Sequence, residues 1–172
     1  TSYYAPFGNW WANSWVQVIY PSSAITESGF ITSIGFQVSD VPTSAVQFSE
    51  LHIYMGTSQD SVHASTSSWL PTSELSEVLS VTNMPLPSST GWMTIDLDDP
   101  FPYDGTENLV IVISKKMSSY NSALKFNYTA VTNSALYRGS DSDASYANYP
   151  GSNTGTRGSY RPNLQLTISQ NS

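Results

Sequence analysis

A chain of 172 residues can bury a core unaided, and it carries no cysteine, which excludes a disulfide scaffold, a thiolate zinc site and a cysteine nucleophile. The net charge is −7, and all six basic residues (Lys115, Lys116, Lys125, Arg138, Arg157, Arg161) come after position 114 without forming a run, which argues against a nucleic-acid partner. No apolar stretch approaches the roughly 18–20 residues of a membrane-spanning helix.

In chain order, short apolar or alternating runs predict strands over 15–20 ("WVQVIY"), 30–38 ("FITSIGFQV"), 47–55 ("QFSELHIYM"), 77–82 ("EVLSVT") and 92–97 ("WMTIDL"). Four more follow over 108–114 ("NLVIVIS"), 124–130 ("LKFNYTA"), 135–138 ("ALYR") and 163–169 ("NLQLTIS"). The best helical candidate is one turn near "SQDSVHAS" (58–65). About nine short strands separated by Gly, Pro, Ser and Asn predict an all-β chain, an antiparallel β-sandwich of jelly-roll type, in one domain over 1–172. Alternation points Ile34, Phe36 and Val38 inward, as it does Leu51, Ile53 and Met55, Met93, Ile95 and Leu97, and Leu164, Leu166 and Ile168. The run 108–114 is apolar on both faces and is expected to be a central strand covered on both sides.

Three connections exceed a turn: 57–76, 98–107 and 139–161. Long structureless loops in compact domains are functional or disordered. The last combines Tyr146, Tyr149, Tyr160, Asn148 and Arg161 with small residues, the composition of antibody contact loops. If consecutive strands are antiparallel, loops alternate between two ends of the sandwich. That parity brings Trp10, Trp11, the loop carrying Tyr120 and Asn121, and the 139–161 loop to one end. It sends Trp69 and the acidic loop "DDPFPYDG" to the other.

Chemistry-bearing patterns are sparse. His52 and His63 lack metal-ligand spacing, no G-x-S-x-G or glycine-rich phosphate loop occurs, and nothing pairs two carboxylates for glycosidase chemistry. No enzyme activity and no required cofactor are expected. Asp98, Asp99 and Asp104 could supply hard oxygen ligands to a structural Ca²⁺, or form a solvated turn. The aromatics Trp10, Trp11, Tyr120, Tyr146, Tyr149 and Tyr160 suit stacking on the apolar C–H faces of sugar rings. Asn121, Asn148 and Arg161 are the matching partners for hydroxyls. Taken singly, each aromatic reads first as a core or interface residue; it is their convergence on one end that makes them a candidate patch. Trp15 opens a strand and is expected to be buried. Trp92 would be a platform on the flat of a sheet, or lie packed under another strand.

The stretches "NWWANSWVQVIYPSSAI", "GFITSIGFQV", "LHIYMGTS", "GWMTIDLDDPFPYDGTENLVIVI" and "YRPNLQLTI" together resemble a recurrent β-sandwich domain of large secreted and cell-surface Bacteroidetes proteins. Its general build is similar to that of jelly-roll carbohydrate-binding and cleaved-adhesin domains. Its N-terminal pattern is matched loosely by Asn9, Ser14, Gln17, Ile19 and Tyr20, with tryptophans where tyrosines are commoner. The resemblance implies an extracellular or cell-surface setting and a place within a multidomain protein. With 11% charged residues and a surface of Ser, Thr, Asn, Gly and aromatics, the composition suits such a setting. The chain opens on polar Thr1 and Ser2 with no leader pattern, so any export signal is expected to have been removed or to lie outside this sequence. The expected function is non-catalytic binding of a plant or host polysaccharide of the β-glucan, mannan or xylan class. The alternative is a protein-binding adhesin or structural spacer.

Overall fold

A computed structural model describes residues 2–170 and has twelve strands in two six-stranded antiparallel sheets. The strands are β1 (Ser2–Tyr3), β2 (Asn13–Tyr20), β3 (Gly29–Asp40), β4 (Gln47–Ser58), β5 (Ser76–Pro85) and β6 (Gly91–Tyr103). They continue with β7 (Asn108–Lys116), β8 (Lys125–Thr129), β9 (Ala135–Ser140), β10 (Thr156–Gly158), β11 (Arg161–Pro162) and β12 (Leu164–Ser169). The first sheet is built on β3, which pairs β6 along one edge and β12 then β8 along the other, with β1 and β11 extending β8. The second runs β10-β9-β2-β7-β4-β5. The chain crosses between sheets at most connections, so few strands pair with their sequence neighbours.

Every run of predicted strand coincides with an observed one to within two residues at its start, and the extra three are the two- and three-residue strands β1, β10 and β11. Strands this short have no readable period. The expected helical turn at 58–65 does not form; 3-10 turns occur at Ser22–Ala24, Thr72–Glu74 and Ala144–Ala147 instead. Residues 58–65 lack an apolar stripe that would reward helix, and their backbone follows the sheet surface.

The inter-sheet core is the alternation made solid. Ile34, Phe36 and Val38 of β3 face Val16, Val18 and Tyr20 of β2, Leu51, Ile53 and Met55 of β4, and Leu109, Ile111 and Ile113 of β7, all buried. Phe7, ahead of β2, is fully buried and meets Phe48, Phe126 and Phe36 at centroid distances of 4.9, 5.3 and 5.9 Å. Fully burying such a ring stabilises by about 1.5–3 kcal/mol.

The other face of β7 is covered too, as its sequence requires. Val110 and Val112 join Trp15, Ile19, Trp69 and Leu136 in a second apolar cluster on the outer side of the second sheet. Two segments roof it, 59–75 and 141–155. Buried Gln17 donates through Nε2 to Ser68 O (3.3 Å) and accepts from Leu70 N (2.9 Å). Trp69 Nε1 donates to Asn153 O at 2.7 Å, and Gly155 N to Thr66 O at 2.7 Å, so the two roofing segments are tied together. His63 is buried under the first, its N–H and Nδ1 both on Asn133 O, and burial pushes its imidazole down to about 4. On the outer face of the first sheet, by contrast, Trp92, Thr94 and Asp96 of β6 are exposed.

An aromatic edge as the candidate binding site

The stretch "FGNWWANSW" makes a tight turn before β2. Gly8 takes φ +63, a left-handed conformation that glycine adopts without strain, and Trp11 N donates to Gly8 O at 3.0 Å. This puts Trp10 at the tip of the turn and sends Trp11 back toward the sheet. Buried Asn9 fastens the turn: its Nδ2 donates to Asn121 O (2.7 Å) and Leu124 O (2.8 Å), and its backbone carbonyl accepts from Asn121 N. The fully buried Lys115 fastens it from below, its ammonium donating to the carbonyls of Trp11 and Ala12. Burial pushes that amine down to about 7, opposed by the nearby Asp141 carboxylate.

Because Asn9 joins the two loops, Trp10 and Tyr120 lie side by side, 6.2 Å between centroids with planes 52° apart. They are among the most exposed large hydrophobics, 47% and 53% accessible. Tyr4 adjoins Trp10 at 5.1 Å, and Lys125 Nζ sits 5.9 Å from the Tyr4 centroid. From Tyr4 the ring contacts run on through Tyr3 (5.1 Å) to Tyr160, which stacks on Tyr3 at 3.8 Å and 6°. Tyr128 meets Tyr160 edge-on at 5.0 Å, Tyr137 lies 6.5 Å from Tyr160, and Trp11 lies 5.7 Å from Tyr137. Eight rings thus form one connected strip where the β1–β8 margin of the first sheet meets the β9–β10 margin of the second.

The strip has an open part and a closed part. Trp10 and Tyr120 show about half their surface to solvent. Tyr3 and Tyr160 cover each other's faces. Trp11 lies on Gly139 of β9, where an added Cβ would come within 2.5–2.6 Å of three of its ring atoms. Burial raises the phenols of Tyr3, Tyr137 and Tyr160, and each is raised further by a neighbouring phenol. They stay neutral hydrogen-bonding groups at neutral pH.

Of the residues singled out from sequence, Trp10, Trp11, Tyr120 and Tyr160 therefore share this strip. Asn121 joins it as a loop-former, its Oδ1 accepting from Ala123 N and Leu124 N at 3.0 Å each. Tyr146, Asn148 and Tyr149 do not: the 139–161 loop leaves the expected end but folds across the outer face of the second sheet. There Tyr146 lies under Arg138, 3.9 Å from guanidinium to ring centroid, and Tyr149 meets Trp15 edge-on at 5.8 Å. Arg161 is turned inward, Nε on Ile19 O (2.9 Å) and Nη2 on Ser61 O (3.2 Å). Trp69, assigned to the far end, is bonded to this same loop, because the 57–76 connection also folds back over the sheet. Tyr3, Tyr4, Tyr128 and Tyr137 were missed; "SYY" at the start reads as a strand only once its partner β8 is known.

Asp98, Asp99 and Asp104 are not gathered into an ion site, and among the described residues no group of three or more His, Asp or Glu is placed to hold a metal. Asp98 accepts from Ser80 N at 3.0 Å. Asp104 accepts from the Thr106 N–H and hydroxyl, both 2.9 Å, which hold its carboxyl below the usual range. The polar residues of the N-terminal pattern are all clamps: Asn9 and Gln17 as above, Ser14 Oγ on Phe7 O (2.8 Å), and Tyr20 OH on Pro162 O (2.7 Å). A cavity of about 460 Å³ lies apart from the strip, between β12 and residues 24–27. Comparison with protein-family models, with curated proteins and with solved structures finds no match to this chain.

Proposed function

We propose that the chain is a non-catalytic carbohydrate-binding module, with Trp10 and Tyr120 as the stacking residues. The observation that carries this is the exposure of two neighbouring aromatic rings held by a buried scaffold. Large rings half in water gain little for the fold, while a ligand that covers them gains their area at low entropic cost. Sugar rings offer matching apolar faces. Lys125 beside Tyr4 supplies a donor for hydroxyls.

The 52° between the rings favours a single twisting chain over the flat face of a crystalline polysaccharide, which needs coplanar rings. A soluble glucan, mannan or xylan chain fits that description. An extracellular setting within a larger protein that degrades or adheres to polysaccharide belongs to the same proposal, supported by the low charge.

Affinity gel electrophoresis against soluble glucans, mannans and xylans tests it. Retardation by at least one glycan, abolished in Trp10→Ala, is expected. No retardation on any of them would leave the protein-binding or spacer reading in its place. Release of reducing sugar from the same polymers would overturn the non-catalytic assignment.

A further inference from the structure

A second concave site lies on the outer face of the second sheet. Its floor comes from Trp15 of β2, Ser114 and Lys115 of β7 and the Glu50-His52-Tyr54 side of β4. The Asn148-Tyr149 segment forms one wall, held in place by Ser114 Oγ donating to Ala147 O at 2.5 Å. The cavity is about 220 Å³. We propose that it is a pocket for a single neutral sugar ring, separate from the aromatic edge and not dependent on it.

Size, shape and chemistry each point that way. The volume falls below the roughly 300–1,000 Å³ of pockets for drug-sized ligands, so it holds one ring and not an oligomer. Trp15 and Tyr54 lie 5.4 Å apart with planes only 30° from parallel, while Tyr149 meets Trp15 at 69°. Both tyrosines pack on Trp15, which is only 3% accessible, so the C–H surface of a pyranose would meet the half-buried Tyr54 and Tyr149. Polar groups of both kinds surround it. Lys116 stands 3.5 Å from Glu50, and His52 lies 3.5 Å from Glu50 and 3.4 Å from Glu77. The exposed Asn148 adds an amide that can donate and accept. Vicinal hydroxyls, which also do both, match this alternation. The Glu50 carboxylate is set against Lys116 at 3.5 Å, so this pair presents no net charge to the pocket.

A second observation points to a ligand. The Trp15 indole is 3% accessible, lines this pocket, and its Nε1–H has no hydrogen-bond partner. Buried donors are nearly always satisfied, and the few that are not call for an explanation. A hydroxyl oxygen of the bound sugar would be the acceptor.

The test is an NMR titration of ¹⁵N-labelled protein with the methyl glycosides of glucose, mannose, xylose and galactose. Trp15→Phe identifies the Trp15 indole signal among the five. At least one glycoside should move that signal saturably at millimolar concentration. Asn148→Ala and His52→Ala, both changes at the pocket mouth, should each weaken binding by about fivefold, the loss expected for one hydrogen bond. Trp10→Ala should leave the titration unchanged. The inference fails if no glycoside moves the Trp15 signal up to about 50 mM, a range that reveals millimolar affinity. It fails equally if the shift survives both mouth variants. Because the edge is read by polysaccharide retardation and the pocket by Trp15, either can fail alone.

Discussion

Trp10 and Trp11 are adjacent in sequence and opposite in circumstance. Trp10 stands at the tip of a turn with half its surface in water and the rings of Tyr4 and Tyr120 beside it. Trp11 lies flat on Gly139, with Tyr137 beside it, and its carbonyl takes the Lys115 ammonium. The same residue type thus serves as a possession of the fold in one case and as free surface in the other. What separates them is a single turn: Gly8 reverses the chain, and the next two indoles leave it in different directions. The largest effect should appear on the closed side. Trp11→Ala removes the ring that fills the space over Gly139, and a loss of about 2–3 kcal/mol is expected, measured by urea denaturation. A change under about 0.5 kcal/mol would show that Trp11 is as free as Trp10 and erase the distinction.

The buried amine beneath this turn offers a smaller, pH-dependent measure of the closed side. Lys115 titrates near 7 in the fold because burial disfavours its charge, against 10.5 for an unperturbed lysine. Below pH 7 the amine is charged in both folded and unfolded chains, and the folded state bears the full desolvation cost. Between pH 7 and 10.5 the unfolded chain holds the extra proton, so stability rises with pH, by at most about 1.4 kcal/mol per pH unit. Denaturation midpoints over pH 7 to 9 should climb in the native protein. They should lose that slope in Lys115→Met, whatever its absolute stability. A flat native profile would mean that the amine is not desolvated as its position under Trp11 and Ala12 implies.

Much of this architecture was legible because burial writes a period into strands. The inward faces of β3 and β4 follow from alternation, and the two-sided cover of β7 from a run that is apolar on both faces. The parity of loops also brought Trp10 and Tyr120 together correctly, since a loop must start and finish at a strand end. Parity says nothing about the face over which a long loop then folds. Tyr146 and Tyr149 left the expected end and crossed the second sheet, drawn by the apolar surface of Trp15, Val110 and Val112. Gln17 and Trp69 guide the companion loop over the same surface through hydrogen bonds that no periodicity encodes. The tyrosines of β1 were hidden for a related reason. Two residues cannot display a pattern, and β1 exists only because β8 offers it an edge.

The smallest effect on stability is expected on the open side, and it is the most discriminating. The double variant Trp10→Ala with Tyr120→Ala removes two large rings, which in a core would cost several kcal/mol. Here about half of each ring is already in water. Neither ring carries the scaffold: Asn9 holds the two loops together through the Asn121 and Leu124 carbonyls, and those bonds do not involve the rings. The melting temperature should therefore fall by no more than about 2–4 °C, the equivalent of roughly 1 kcal/mol for a chain of this size. Any glycan retardation shown by the native protein should vanish in the same variant. A large drop in melting temperature would mean that Trp10 and Tyr120 bind chiefly each other, and that the open side of the strip is packing rather than a surface kept for a ligand.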